Sequence, residues 1–351
     1  MAKINEVAKK CGVSHMTVAR VFSHPEKVKP TTREKVLQIA RELNYQPNPS
    51  ARALAQKSTH NILFLLSRSQ QSALINPFYA PVVDALLHEL NKHKLNLIVA
   101  SSESITDIDG MKFLDQPLDG AIIAGDAELE IVKRFVARKT PLVIFNRSLS
   151  NYQLPTVLIR NRACTADLTK FLLAQGHRRI CLLSGNFSKE VQEEREGGYK
   201  EVMKEEQLAE QTRIKRVDDD LTAVATVLED DLQLTLAERP TAYLCTSDAI
   251  AVKAIKVLLR NKISVPTGVS VVGIDDSVLA KTIEPELTTM RIEPTEIARK
   301  LVKLLWQQLV SIYQLDEGSE LNNFSTDEQV TLTQYVEGQL VVRDSATAVK
   351  G

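Results

Sequence analysis

The 351-residue sequence has little of what marks membrane or secreted proteins. No apolar run approaches the roughly 18 residues that a membrane-spanning helix needs, so we expect no membrane partner. The N-terminus is too polar for a secretory signal, which predicts a cytoplasmic location. The four cysteines lie far apart, without the paired spacing of a zinc module, and we expect them to be buried thiols. They are Cys11, Cys164, Cys181 and Cys245.

Motifs of common enzyme sites are also missing. The sequence contains no glycine-rich nucleotide or dinucleotide loop and no serine-hydrolase elbow. His88 and His93 flank a glutamate as in some zinc proteases, but their spacing of five puts them on different sides of a helix. We therefore expect a protein that is not an enzyme, with no catalytic residue, no metal site and no cofactor.

The chain has no net charge, yet its charges are unevenly distributed. Residues 1–60 hold eleven lysines and arginines against four glutamates, a net charge of +7, so the remainder carries −7. A basic head on an acidic body predicts a polyanion-binding module joined to a second functional unit.

The basic head has the apolar spacing of a helix-turn-helix unit. Helical periodicity predicts a first short helix over residues 4–10, and Gly12 suits the tight turn that follows it. Ser14 is expected to cap a second helix, because its hydroxyl can accept a hydrogen bond from a free N–H. Val18 then fills the wedge between the two helices. A third helix is predicted to start at a capping box formed by Thr31 and Glu34.

The second helix of such a unit enters the major groove of DNA, and its N-terminal residues meet the base edges. Arg20 can donate a bidentate pair to guanine, whereas Thr17 is suited to a phosphate and Met16 to a thymine methyl. One helix reads too few bases to be specific, so we expect a homodimer on a pseudo-palindromic, double-stranded DNA operator. The expected DNA contacts from this helix are Ser14, His15, Met16, Thr17 and Arg20.

Two stretches of the sequence resemble the lactose-repressor (LacI/GalR) family of bacterial transcription regulators. The first runs from Ile4 to Phe22 (INEVAKKCGVSHMTVARVF) and the second from Leu43 to Leu54 (LNYQPNPSARAL). The likeness continues more weakly to Asp344, and the family usually has serine where this chain has Ala19. The resemblance implies a repressor of carbohydrate-utilisation genes with a helix-turn-helix DNA-binding domain over residues 1–46.

Residues 47–60 follow as a hinge or linker. Two prolines end the preceding helix, and the helix-capable stretch 50–55 has little to bury, so it is expected to be marginal alone. The resemblance implies a hinge helix that folds on operator binding. By that match Asn48 and Ala51 approach the DNA backbone or minor groove, and Leu54 is an apolar wedge that bends the duplex.

Residues 61–344 alternate short apolar runs with helical patterns, which is typical of buried parallel strands and crossover helices. Two such series predict an α/β domain of two doubly wound parallel-sheet lobes. The expected strands are 62–66, 96–100, 121–124 and 142–145, with helices near 78–92, 107–115 and 128–138, and then 179–184, 214–217, 242–245 and 269–274.

The resemblance implies that these lobes form a periplasmic-binding-protein-like effector and dimerisation domain. In that fold the chain crosses between the lobes three times. Residues 287–315 are therefore expected to return to the first lobe, and residues 330–342 to finish in the second. The polar stretch 316–328 is expected to be a surface loop, and residues 345–351 a tail.

Ligands of open α/β folds bind at the carboxyl ends of the strands, where this sequence has polar and aromatic residues. The set suits a sugar, whose hydroxyls need matched donors and acceptors. We expect Arg195, at the start of a helix, and Asp275 to contribute most. The positions that match those where the family holds its effector are Phe78, Tyr79, Asn146, Arg195, Ser247 and Asp275.

Three departures from the family pattern bear on the effector. The family commonly has aspartate at Asn146 and Arg160, and asparagine at Ser247. Losing two acids and gaining a base favours an anionic effector, such as a sugar acid or sugar phosphate, or else indicates a degenerate site. Two hypotheses stay open: a repressor controlled by a small carbohydrate-like effector, and a DNA-binding regulator controlled by a protein partner or unresponsive to small ligands.

Overall fold

The computed structural model describes most of the chain, in two compact units: residues 1–61 with 115–119, and the remainder. The predicted hinge helix, the helix near 107–115 and the loop 316–328 lie outside the described residues, as do Asn48, Ala51 and Leu54. No described helix is long and apolar enough to cross a membrane. The described residues are 2–23, 25–45, 58–66, 76–102, 116–126, 128–149, 151–217, 221–313 and 332–349.

The head contains the three predicted helices: α1 (Ile4–Cys11), α2 (His15–Ser23) and α3 (Pro30–Glu42). Gly12 turns the chain with a φ of 68°, and the Ser14 hydroxyl accepts from the backbone N–H of Thr17 at 3.1 Å, which confirms the predicted cap. The predicted start of α3 at Thr31 is wrong. The helix begins at Pro30, whose ring fixes φ at a helical value and needs no N–H partner.

Apolar residues from all three helices meet in one small core. Val7, Val18 and Val36 are fully buried, one from each helix. Val18 thus occupies the wedge that its spacing predicts. Each helix is too short to be stable alone, so this packing holds the unit together.

The first lobe is a six-stranded sheet in the order β11-β5-β4-β3-β1-β2. The pairings of β11 with β5, β5 with β4, β4 with β3 and β3 with β1 are parallel. Its elements are β1 (Asn61–Leu66), α4 (Tyr79–Lys92), β2 (Asn96–Ser101), β3 (Gly120–Ala124), α5 (Leu129–Ala137), β4 (Leu142–Phe145), β5 (Thr156–Ile159), α11 (Pro294–Tyr313) and β11 (Thr333–Val336).

The second lobe is a six-stranded sheet in the order β12-β10-β9-β8-β6-β7, parallel except for the pair of β10 with β12. Its elements are α6 (Asn161–Ala174), β6 (Ile180–Gly185), α7 (Lys189–Glu205), β7 (Arg213–Val217), α8 (Thr222–Leu232), β8 (Ala242–Cys245), α9 (Asp248–Arg260), β9 (Ser270–Asp275), α10 (Val278–Thr282), β10 (Thr288–Ile292) and β12 (Gly338–Val341).

The chain crosses between the lobes at Arg160, Glu293 and Glu337. Helix α11 returns to the first lobe as predicted, but the strand before it, Thr288–Ile292, stays in the second sheet. Likewise Thr333–Val336 joins the first sheet before the last crossing, so the prediction that all of 330–342 lies in the second lobe is wrong. An apolar run predicts a strand but not which sheet it pairs with.

Residues 345–349, expected as part of a tail, are bonded to the second lobe. The Ser345 hydroxyl donates to the carbonyl oxygen of Val271 at 2.6 Å and accepts from the N–H of Thr288 at 2.8 Å. Further along, the N–H of Val349 donates to the carbonyl oxygen of Gln175 at 2.9 Å. The Ser345 bonds therefore attach this segment to the amino-terminal parts of β9 and β10.

Candidate functional site

The N-terminal half of α2 presents an exposed polar face. His15, Met16 and Arg20 are exposed, with 60% of Met16 accessible, while Val18 points inward. Thr17 is half-buried, and its hydroxyl lies 2.9 Å from that of Ser14. The capping hydroxyls therefore fix the start of the helix, and the neighbouring side chains are left free to meet a partner.

Arg195, an expected effector contact, is buried in the second lobe and only 4% exposed. The expectation that Arg195 opens a helix is wrong. The Ser188 hydroxyl caps α7 by accepting from the N–H of Val191, so Lys189 begins the helix and Arg195 lies in its second turn. The side chain of Arg195 lies on the buried side of this helix and is held by the contacts described next.

The guanidinium of Arg195 contacts neutral groups. Its Nε donates to Asn161 Oδ1 at 2.8 Å, its Nη1 donates to the carbonyl oxygen of Thr246, and its Cζ lies 4.9 Å from the centre of the Phe187 ring. Among the residues that the structure describes, no carboxylate forms an ion pair with it. Its hydrogen-bond partners are therefore neutral, and a guanidinium held in this way can also donate to an anionic group.

Asn161 is a site residue that sequence reasoning missed. It begins α6 directly after the first lobe crossing and is 4% exposed. Its Nδ2 donates to Asn146 Oδ1 at 3.1 Å, and Asn146 follows the end of β4 in the first lobe. The only feature of the sequence that could have indicated Asn161 is its place just after the end of a strand. Phe187, missed as well, precedes the Ser188 cap.

Asp275 ends β9 with a φ of 126°, a backbone conformation that aspartate rarely adopts and that is frequent at binding sites. Burial raises the pKa of its carboxyl well above the usual value, and nearby Asp248 adds to this, whereas Arg195 and the N–H of Asp248 oppose it. Burial likewise raises the pKa of Asp248 to about 6, against hydrogen bonds from Thr289 and Ser277.

Aromatic rings from the first lobe form one wall. Phe78 stacks on Phe145 at 6.4 Å and meets the edge of Tyr79 at 5.0 Å. Tyr79 is 4% exposed, and burial raises the pKa of its hydroxyl, partly offset by Arg195. These rings provide an apolar surface next to the buried cation.

Two of the residues that differ from the family pattern, Ser247 and Arg160, already have bonding partners within the protein. The Ser247 hydroxyl caps α9 by accepting from the N–H of Ile250 at 3.3 Å. Arg160 lies exposed at the first lobe crossing, with its Nε 3.4 Å from Glu337 Oε1 and its Cζ 3.6 Å from the centre of the Tyr335 ring. Because Glu337 opposes its charge, Arg160 adds little positive potential to the cleft.

Comparisons with known proteins agree with this architecture. The family model of bacterial regulatory proteins, lacI family, matches residues 3–48, and that of a periplasmic binding protein-like domain matches residues 169–346. The ribose operon repressor of Haemophilus influenzae and the transcriptional repressor PurR of Vibrio campbellii are each 29% identical, over 88% of this chain and 92% of their own length.

The solved structure of the lac repressor dimer bound to operator and the anti-inducer ONPF is 22% identical, with a TM-score of 0.76, and each chain is covered to 99%. This likeness confirms the predicted fold class, and the two family models confirm the family. The chain belongs to the lacI family of bacterial regulatory proteins, and it is a DNA-binding transcriptional repressor with a helix-turn-helix head and a periplasmic-binding-protein-like effector domain.

Proposed function

We propose that this protein represses genes of carbohydrate use, and that a small carbohydrate-like molecule bearing a carboxylate or phosphate controls it. The observation that carries the ligand class is the environment of Arg195, a buried guanidinium with neutral partners. An anionic group that bonds this cation gains a charge-assisted hydrogen bond. The name of the ribose operon repressor, a relative, supports a carbohydrate scaffold.

The remaining site residues have matching roles in this proposal. The rings of Phe78 and Tyr79 cover an apolar face of the sugar, while Asn146 and the carboxyl of Asp275 bond its hydroxyls. Ser247 has an indirect role, because its side chain caps the start of α9.

The proposed DNA complex is that of a homodimer on a pseudo-palindromic operator. The exposed faces of two α2 helices enter successive major grooves, and the capping Ser14 lies at the entry of each helix. In the hinge, Asn48 and Ala51 contact the backbone or minor groove, and Leu54 wedges between bases. The proposed contacts from α2 are Ser14, His15, Met16, Thr17 and Arg20.

Matched ligand pairs test the proposal. Each pair joins an acid or phosphate to its neutral parent, for example galacturonate with galactose, gluconate with glucose, and ribose 5-phosphate with ribose. At equal concentration the anionic member of one pair should raise the melting temperature more and should change the affinity for operator. Nucleosides form a further arm. A protein that responds to none of these compounds would support control by a protein partner or no control at all.

A further inference from the structure

Three buried side chains form a continuous hydrogen-bonded chain from one lobe to the other. Asn146 stands at the end of β4 in the first lobe, Asn161 directly follows the first crossing, and Arg195 lies in α7 of the second lobe. Asn161 Nδ2 donates to Asn146 Oδ1 at 3.1 Å, and Asn161 Oδ1 accepts from Arg195 Nε at 2.8 Å. The buried amide of Asn161 therefore links the first lobe to the cation of the site.

We infer that Asn161 is the positioning and specificity-determining residue of this site. Its neutral amide oxygen holds the Arg195 guanidinium in place and leaves the positive charge available to an anionic group of the effector. This inference rests on the function proposed for the cleft, and it names the residue that sets the preference for charge.

The orientation of the amide follows from its partners. Asn161 Nδ2 also lies 3.3 Å from the carbonyl oxygen of Ile159, which can only accept a hydrogen bond. The amide nitrogen must therefore face Ile159 and Asn146, and the amide oxygen faces Arg195. The Thr246 carbonyl fixes Nη1 in the same way, so two neutral acceptors orient the guanidinium while Nη2 keeps donors for a ligand.

Two substitutions separate the two parts of this role. Asn161→Asp replaces the amide by a carboxylate of the same shape, which pairs with Arg195 and competes with an anionic effector. It should lower the preference for the acid over its parent sugar by roughly 10- to 100-fold, the range of a charge-assisted hydrogen bond. Asn161→Ala removes the positioning bond but leaves the cation unpaired, so it should weaken both members of a pair and keep their ratio.

Asn261→Asp is the matched control, because it makes the same change of charge at the exposed C-terminal end of α9. Titration calorimetry with each acid and its parent sugar gives the ratio for every variant. A second measurement, the melting temperature of the free protein between about pH 3 and 6, reports the new ion pair without any effector. The gain of Asn161→Asp over the unmutated protein should grow as its carboxyl ionises with rising pH.

The outcomes separate cleanly. An unchanged acid preference in Asn161→Asp, with the pH-dependent gain present, overturns the specificity role. The absence of that gain overturns the contact with Arg195 on which the inference stands. Equal binding of acid and parent sugar by the unmutated protein instead refutes the proposed ligand class, and the pH measurement then decides the positioning role by itself.

Discussion

The carboxylate of Asp119 accepts two hydrogen bonds from Thr59, one from its backbone N–H at 2.7 Å and one from its hydroxyl at 2.9 Å. The hydroxyl of Ser58 and the N–H of His60 donate to the same carboxylate. Residues 58–60 are the end of the predicted hinge segment 47–60, and Asp119, only 4% exposed, directly precedes β3. A single buried carboxylate thus holds residues 58–60, the end of the hinge segment.

Asp119→Ala should lower the free energy of unfolding by about 1–3 kcal/mol, because it leaves several donors without an acceptor. Operator affinity should fall with it, since the end of the hinge loses its anchor. Asp84→Ala, which removes an exposed carboxylate from α4, is the control. Urea unfolding and operator titration measure the two effects, and equal behaviour of the two variants would show that the Asp119 bonds are unimportant.

Operator binding should depend steeply on salt, because the head carries a net charge of +7 and each neutralised phosphate releases counterions. Arg20→Ala should cost about 1–3 kcal/mol of binding and relax the preference at one base pair. Fluorescence anisotropy with an operator and its single-base variants measures both. A uniform loss on every sequence would make Arg20 a phosphate contact.

Effector binding in the cleft should change the placement of the lobes and so the folding of the marginal hinge helix. Arg195→Ala should keep operator affinity but lose the response to effector, since the buried cation that recognises the ligand is gone. Leu54→Ala should do the reverse, weakening operator binding while the free protein keeps its effector affinity. Titrations of effector and of operator on both variants check this. A normal response from Arg195→Ala would refute the proposed site.

Two neighbouring glycines in α7 should respond oppositely to alanine. A Cβ on Gly198 would lie 2.0 Å from the backbone oxygen of Arg162 and 2.5 Å from the Thr165 hydroxyl, so Gly198→Ala should destabilise by about 1–3 kcal/mol. A Cβ on Gly197 would first meet the flexible end of Arg162, at 2.7 Å. Gly197→Ala should therefore be neutral or stabilising by up to about 1 kcal/mol. Thermal unfolding of both variants decides.

Stability should fall as the pH drops below 6.5, in part because burial lowers the pKa of His177 below that usual value. Below this pH the unfolded chain binds a proton that the folded chain excludes. The stability contributed by neutral His177 is therefore complete above pH 6.5 and is lost progressively below it. His177→Gln should flatten this dependence, whereas the exposed-site control His88→Gln should not. Melting temperatures between about pH 5 and 8 test it.

Much of the fold is predictable because its determinants are local. The Ser14 cap lies three residues from the N–H that it accepts from, and the buried runs at 142–145 and 242–245 match strands Leu142–Phe145 and Ala242–Cys245. Nearly continuous apolar runs are typical of strands covered on both faces, so their bounds are visible in the sequence. Arg195 and Asp275 were also predicted to share the cleft, and the electrostatic influence between them is consistent with that.

By itself the sequence determined the helix-turn-helix head, the alternation of strands and helices, and the uneven charge, because each depends on residue type and short-range spacing. Only the tertiary structure decided the partners of the charged and amide groups. Asn161 meets Arg195 from 34 positions away, and Arg160 meets Glu337 from 177 positions away. Such contacts depend on which strand pairs with which and where the chain crosses between lobes. Periodicity reports how deeply a residue is buried, but not which residue lies beside it.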